Sequence, residues 1–146
     1  MDYPNQNREA RDRILALTAN LTDAELARPL EGGWTVGAEL AHLAFWDRVH
    51  IGRLRAALES GGDLPAPFPA GAPDAINNAG LPGWRAIPGP TARREFEEAS
   101  AEVDAFLAAL DEATAERIRA SGLGRNLERF RHRGEHAEAI EAGLRR

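Results

Sequence analysis

The sequence predicts an all-α protein folded as one four-helix bundle over residues 1–146. Nearly every strong apolar pattern repeats at helical spacing, and no segment alternates apolar and polar residues for long. A chain of 146 residues is long enough for one domain with a real core and short for two. Four helical patterns with three connections, one of them extended, are typical of such a bundle.

The first predicted helix spans about residues 7–20 and places Ile14 and Leu17 on one apolar face. A short turn of helix is expected to follow it. Thr22 is a suitable N-cap for this turn, and Glu25 stands three residues later, which is the spacing of a capping box.

The second predicted helix begins after the N-cap residue Thr35 and ends near Ser60. Besides its main apolar stripe, it carries Phe45, Trp46 and Val49 on other faces. A helix that is apolar over such a wide arc is buried on more than one side. This arc is wider than one bundle core needs, so we expect a two-fold homodimer.

A long connector, residues 61–90, follows and contains seven of the nine prolines. We expect an ordered loop without regular structure that packs on the bundle and covers a functional site. Trp84 either lines the mouth of that site or anchors the loop. Asn77 and Asn78 are candidate site residues or, equally, turn-forming asparagines.

The last two predicted helices span about residues 91–111 and 126–144. The first has an apolar stripe that includes Phe96, Val103 and Leu107. The stripe of the second is formed by Phe130, Ala137, Ile140 and Leu144.

The overall charge and composition exclude several classes of protein. The formal net charge is −5, which disfavours nucleic acid as a partner. Six arginines cluster late in the chain, but glutamates are interleaved with them, so we expect a solvated helix face with mixed pairs. No segment has the roughly 20 apolar residues that cross a membrane. The N-terminus lacks an apolar signal core, and we therefore expect a cytoplasmic protein.

Two missing residue types restrict the chemistry further. The sequence contains no cysteine, and all 18 basic residues are arginine. Thiolate nucleophiles, thiolate metal ligands, Schiff bases and a lysine general base are therefore excluded. None of the few serines lies in a nucleophile-elbow pattern. A catalytic role would consequently depend on a metal ion or on a second substrate.

The histidines provide the candidate metal ligands. His132 and His136 are four residues apart on the last helix, so their side chains lie on one face and are close enough to share an ion. His42 lies in the apolar run AELAHLAFWD of the second long helix, where a buried imidazole needs a partner. These three imidazoles would form a facial set that leaves other positions for water or substrate. His50 lies two turns beyond His42 and is left out.

An alternative assignment uses the segment His132-Arg133-Gly134-Glu135-His136. It fits the inverted zinc-peptidase pattern, in which the glutamate is the general base. That pattern needs a third ligand well downstream, and only residues 137–146 follow. We therefore expect Glu135 to be solvated or paired with a nearby arginine.

Three segments of the chain resemble the DinB-like superfamily. GWTVGAELAHLAFWD is similar to its second-helix signature, with Trp34, Thr35, His42 and Asp47 at the characteristic places. RNLERFRHRGEHAEAIEAGL resembles the last helix, which carries the paired histidines. The middle segment, DAINNAGLPGWRAIPGPTARREFEEASAEVDAFLAAL, is similar to the branch related to the N-terminal domain of mycothiol-dependent maleylpyruvate isomerase.

The resemblance implies a four-helix bundle that binds a divalent metal ion, often zinc or nickel, through three histidines. The matching positions are His42, His132 and His136. Members with a known activity are transferases or isomerases that use mycothiol, bacillithiol or glutathione. The first functional hypothesis is therefore a metal-dependent enzyme that acts on a small-molecule substrate with a low-molecular-weight thiol. The second is a non-catalytic metal-binding or stress-response module, and a metallohydrolase is a third.

Overall fold

The computed structural model describes residues 2–146, and these contain eight α-helices. They are α1 (Tyr3–Thr18), α2 (Asp23–Leu26), α3 (Val36–Ser60), α4 (Ala72–Ala86), α5 (Gly89–Ala108), α6 (Glu112–Ala120), α7 (Gly124–Leu127) and α8 (Arg129–Leu144). The only extended pairing in this part of the chain is an isolated bridge between Pro29 and Thr35. The prediction of an all-α fold is confirmed. Within residues 2–146, no helix combines the length and apolar character needed to cross a membrane.

Four of the helices, α1, α3, α5 and α8, form the bundle. Helix α3 packs on α5 and α8, and α1 packs on the same two helices, so that the four enclose a common core. Helix α4 packs on α3 from outside this ring, and the short α2 contacts α5 and α3. Because α3 is covered by α4, α5 and α8, it is the central helix, as its wide apolar arc indicated.

The core has two parts along the bundle. One contains Ile14, Leu40, Phe96 and Ile140, one residue from each bundle helix, and Trp84 of α4 packs with them. The other is formed by Tyr3, Ile51, Leu54, Val103, Leu107, Ala115, Ile118, Leu123 and Leu127.

The predicted helix starts at Thr22 and Thr35 are confirmed. The Thr35 hydroxyl accepts a hydrogen bond from the amide of Ala38 at 3.0 Å, as an N-cap does. Thr22 and Glu25 form the complete capping box. These caps satisfy backbone amides that otherwise lack partners in the first turn.

The expectation of an irregular connector is wrong for residues 72–86, which form α4. Prolines indicated a loop, but Pro73 lies in the first helical turn, where its missing N–H has no intrahelical partner to lose. Pro82 lies inside the helix. Trp84, two residues after Pro82, is 8% exposed and packs against the bundle. Helix α6 was not predicted, although Asp111 caps it by accepting a hydrogen bond from the Thr114 amide at 2.7 Å.

Much of the additional apolar surface of α3 is covered within the chain. Trp46 is 5% exposed, and its indole N–H donates a hydrogen bond to Asn77 Oδ1 on α4 at 2.8 Å. Phe45 packs against Trp84, with ring centroids 5.4 Å apart. Asn77 therefore ties α4 to α3, and neither asparagine forms a turn, because both Asn77 and Asn78 lie inside α4.

Candidate metal centre

Three histidines from two helices meet between α3 and α8. The Nε2 atom of His132 lies 3.0 Å from Nε2 of His42 and 3.1 Å from Nε2 of His136. His42 is buried, and the other two are partly buried. The structure thus brings together the three residues that the sequence identified as candidate ligands. Their possible ligand atoms all lie within 4.8 Å of one another. No other set of three His, Cys, Asp or Glu side chains in residues 2–146 meets this condition.

The separations of His132 Nε2 from the other two Nε2 atoms are compatible with a small divalent cation. Zinc–nitrogen bonds of about 2.0–2.1 Å at tetrahedral angles place two imidazole nitrogens roughly 3.3 Å apart. The two measured separations, 3.0 and 3.1 Å, are within a few tenths of an ångström of that value. Imidazole ligands suit zinc, nickel, copper and iron. The donor set and its spacing are therefore compatible with a bound metal ion.

Glu39 fixes the orientation of His136. It lies one turn before His42 on α3, is buried, and its carboxylate is hydrogen-bonded to Nδ1 of His136. The carboxylate accepts, so Nδ1 carries the proton and Nε2 of a neutral ring keeps its lone pair for the centre of the cluster. The sequence reasoning missed this residue. Its signal was an acidic side chain in an otherwise apolar run, three residues before His42.

Arg129 contacts the second ring nitrogen of His132. Its Nη2 lies 3.0 Å from His132 Nδ1, and since a guanidinium only donates, Nδ1 is the acceptor. A neutral His132 then carries its proton on Nε2 and can donate it to His42 or His136. A neutral His132 can therefore bind an ion through Nε2 only as the other tautomer, with the proton on Nδ1 and the Arg129 guanidinium moved away from that nitrogen.

Burial keeps two of the imidazoles uncharged. Desolvation, with contributions from the charges of His136 and Arg129, lowers the pKa of His42 to about 3. Desolvation followed by Arg129 also holds the pKa of His132 well below its ordinary value. Both rings are thus neutral at physiological pH, which is the protonation state that binds metals.

A buried ionic network supports the histidine-bearing helix. Asp47 accepts from Arg129 Nε at 2.8 Å and from Arg133 Nη2 at 3.1 Å. Burial by itself raises the pKa of Asp47, but the two guanidiniums outweigh it, so the pKa lies below its ordinary value. Arg133 also pairs with Asp104 at 2.9 Å and donates to the Asn7 carbonyl at 2.8 Å. The network joins α8 to α3, α5 and α1.

The expectation that the late arginines all lie on a solvated helix face is wrong for two of them. Arg125 and Arg131 do lie on a solvated face and pair with glutamates. Arg129 and Arg133, however, are 2% and 0% exposed. Composition cannot separate these two pairs, because the distinction depends on which face of α8 meets Asp47.

Two tryptophans form an apolar wall beside the cluster. The rings of Trp34 and Trp84 lie 5.0 and 5.1 Å from the His42 ring, both edge-on, and stack on each other at 5.9 Å. Trp84 is buried in the core and thus anchors α4 while also contacting one candidate ligand. It does not line the cavity that adjoins His132, where Pro67, Phe68 and Pro73 of the same connector lie instead.

The other singled-out residues lie outside the cluster. His50 is not part of it and stacks on Trp46 at 5.6 Å. Glu135 is exposed and pairs with Arg125 at 2.9 Å, as expected for a surface residue. Glu135 therefore does not provide a general base directed at the cluster. Without that base, the metallohydrolase hypothesis loses its main support.

Comparison with protein-family models identifies the family to which the chain is similar. The family model described as the DinB superfamily matches residues 6–138, which include all three histidines and most of the bundle. No curated protein and no solved structure matches the chain.

Proposed function

The chain belongs to the DinB superfamily, and from this premise we propose that it binds one divalent metal ion through His42, His132 and His136. The observation that carries the proposal is the convergence of three Nε2 atoms at 3.0 and 3.1 Å. Zinc and nickel are the proposed ions, because imidazole nitrogens suit both.

We further propose that the protein is a thiol-dependent transferase or isomerase-like enzyme. A bound divalent ion supplies Lewis acidity, which lowers the pKa of a thiol that reaches it. The chain has no cysteine, so the thiol would come from a cosubstrate such as mycothiol or bacillithiol. Such a cosubstrate agrees with a cytoplasmic location, where thiols remain reduced.

The chain's own residues would orient the ligands and exclude water. Glu39 holds His136 through Nδ1, with Nε2 directed at the cluster. Trp34 and Trp84 close the cluster on the His42 side. Substrates would therefore approach from the cavity that His132 lines, which has a volume of about 290 Å³.

The activity can be tested by thiol consumption. Metal-loaded protein is mixed with a low-molecular-weight thiol and an aromatic halide, and loss of free thiol is followed. We expect a metal-dependent acceleration that disappears in His42→Ala. The control is Glu135→Gln, an exposed substitution that should leave the rate unchanged. A rate that fell in Glu135→Gln would contradict the placement of Glu135 outside the reactive site.

A non-catalytic metal-binding or stress-response module is the alternative function. It retains the bundle and the histidine cluster but predicts no acceleration of thiol loss. Intact metal binding together with thiol consumption at the uncatalysed rate, across several thiols and electrophiles, would favour this alternative.

The homodimer remains a separate proposal. Its original support was the apolar arc of α3, and part of that arc is now accounted for by α4, which covers Trp46 through Asn77. Light scattering at micromolar concentration tests it, since only a mass of 15.9 kDa would contradict assembly.

A further inference from the structure

The wall of the cavity beside His132 contains three arginines, only two of which have an acidic partner. Arg53, Arg125 and Arg129 line it, and its wall contains neither aspartate nor glutamate among the described residues. Arg129 is neutralised by Asp47. Arg125 pairs with a glutamate at the surface. Arg53 therefore supplies the charge that remains to be balanced.

Arg53 is held in place by contacts that leave its charge uncompensated. Its Nη2 donates to the carbonyl of Ala66 at 2.5 Å, and its guanidinium lies 4.2 Å from the ring centroid of Phe68. No carboxylate of residues 2–146 lies within ion-pair distance of it. A guanidinium has five N–H donors, so the other donors are available to an anion.

Asn126 adds a buried donor that has no partner. It lines the same cavity, is 6% exposed, and its Nδ2 forms no hydrogen bond within the protein. Leaving a buried amide donor unsatisfied costs about 1–3 kcal/mol. Nδ2 is itself shielded from solvent, so an acceptor atom bound in the cavity would remove that cost once the side-chain amide rotates to present Nδ2 to it. His50 also lines the cavity, and its Nδ1 atom likewise has no hydrogen-bond partner within the protein.

The remaining walls are apolar. Trp46, Pro67, Phe68, Pro73 and Leu123 contribute most of them. A volume of about 290 Å³ is at the small end for ligand sites and suits a compact molecule. An open, largely apolar cavity with a cationic group and an unpartnered amide matches a molecule that has an anionic end and an apolar body.

We propose that this cavity binds a small organic carboxylate, with Arg53 and Asn126 as its hydrogen-bond donors and Trp46 and Phe68 around its apolar part. Binding of the carboxylate needs no metal. That the carboxylate belongs to the substrate rests on the proposed function, because His132 links the cavity to the metal centre.

Titration calorimetry with benzoate, benzamide and inorganic phosphate tests the proposal on metal-free protein. Benzoate should bind, whereas neutral benzamide and phosphate, which lacks an apolar body, should bind at least tenfold more weakly. Equal binding of benzamide would show an apolar pocket without anion recognition. Equal binding of phosphate would show a general anion site, and absence of benzoate binding would remove the site. Each of these three results overturns the proposal.

Two variants identify the donors. Arg53→Met and Asn126→Asp should each weaken benzoate binding at least tenfold, since each removes a donor to a charged ligand. The matched control is Arg94→Met, which removes an exposed arginine of α5 and should change nothing. If circular dichroism shows that Asn126→Asp does not fold, the benzoate affinity of Arg53→Met is the deciding measurement. An unchanged benzoate affinity in Arg53→Met contradicts the proposal.

The His42→Ala variant separates this proposal from the metal proposal. It should lose metal and still bind benzoate. Benzoate binding by a wild-type protein that takes up no metal would refute the metal centre and leave the carboxylate site standing. Metal binding without benzoate binding would refute the carboxylate site and leave the metal centre standing.

Discussion

Neutralising Asp47 should be among the most destabilising single substitutions in the protein. Asp47 and its partners Arg129 and Arg133 have side chains that are 1%, 3% and 0% exposed. In Asp47→Asn, the amide retains one acceptor oxygen, but its NH₂ group faces a guanidinium that can only donate. The buried cations lose the carboxylate that lies between them.

The magnitude follows from this geometry. Removing one partner of a buried ion pair costs about 3–5 kcal/mol, because it leaves an uncompensated charge. Domains are stable by only about 5–15 kcal/mol in total. For a chain of this size, each kcal/mol corresponds to roughly 2–4 °C, so we expect the midpoint of thermal unfolding to fall by about 6–20 °C.

Thermal unfolding followed by far-UV circular dichroism at neutral pH measures this effect. The matched control is Asp63→Asn, the same chemical change at an exposed residue in the loop after α3. Its midpoint should stay within the change expected for about 0.5 kcal/mol. If Asp47→Asn unfolded at the same temperature as Asp63→Asn, the assignment of a stabilising buried network would be refuted.

Three further predictions concern the residues around the cluster. Glu39→Gln should weaken metal binding about 10–100-fold with the helical spectrum unchanged, because the Nδ1 partner of His136 loses its charge; unchanged affinity in a metal titration would contradict its orienting role. Trp84→Ala should lower the free energy of unfolding in urea by about 3–5 kcal/mol while metal content persists, and a loss of metal with full stability would contradict the anchoring role. Because the pKa of His42 is lowered to about 3 from about 6.5 in an unfolded chain, the unfolded state alone takes up this proton between those values. The free energy of unfolding of the metal-free protein is therefore greatest above the unfolded pKa. It falls as the pH is lowered, by about 2 kcal/mol for this residue at about pH 5. Urea midpoints that did not differ between neutral pH and about pH 5 would contradict the lowered pKa.

The parts of the fold that local sequence determines were predictable. Thr35 and Thr22 begin helices because their hydroxyls cap nearby amides, and such contacts span only three residues. Helix α4 was missed because its prolines indicate a loop, whereas it packs on α3 through contacts such as Trp84 with Phe45, which join residues far apart in sequence. Propensity is a weak guide where tertiary contacts of this kind decide.

The residues of the candidate site also divide into those that local sequence reveals and those that depend on tertiary contacts. The pair His132 and His136 is visible because helical spacing alone places both on one face, and His42 stands out in its apolar run. The partners of these residues were not predictable. Arg133 reaches Asp47 across 86 positions of the chain, and Arg129 reaches it across 82. Which arginines turn inward depends on the packing of α8 against α3.

The most direct test of the metal centre is the metal content of purified protein and single-histidine variants, measured by mass spectrometry after equilibration with zinc or nickel. We expect one ion per chain in the wild type and in His50→Ala, and loss of most metal in His42→Ala, His132→Ala and His136→Ala, with the helical spectrum retained. A full equivalent of metal in His42→Ala, or none in the wild type, would contradict the three-histidine site.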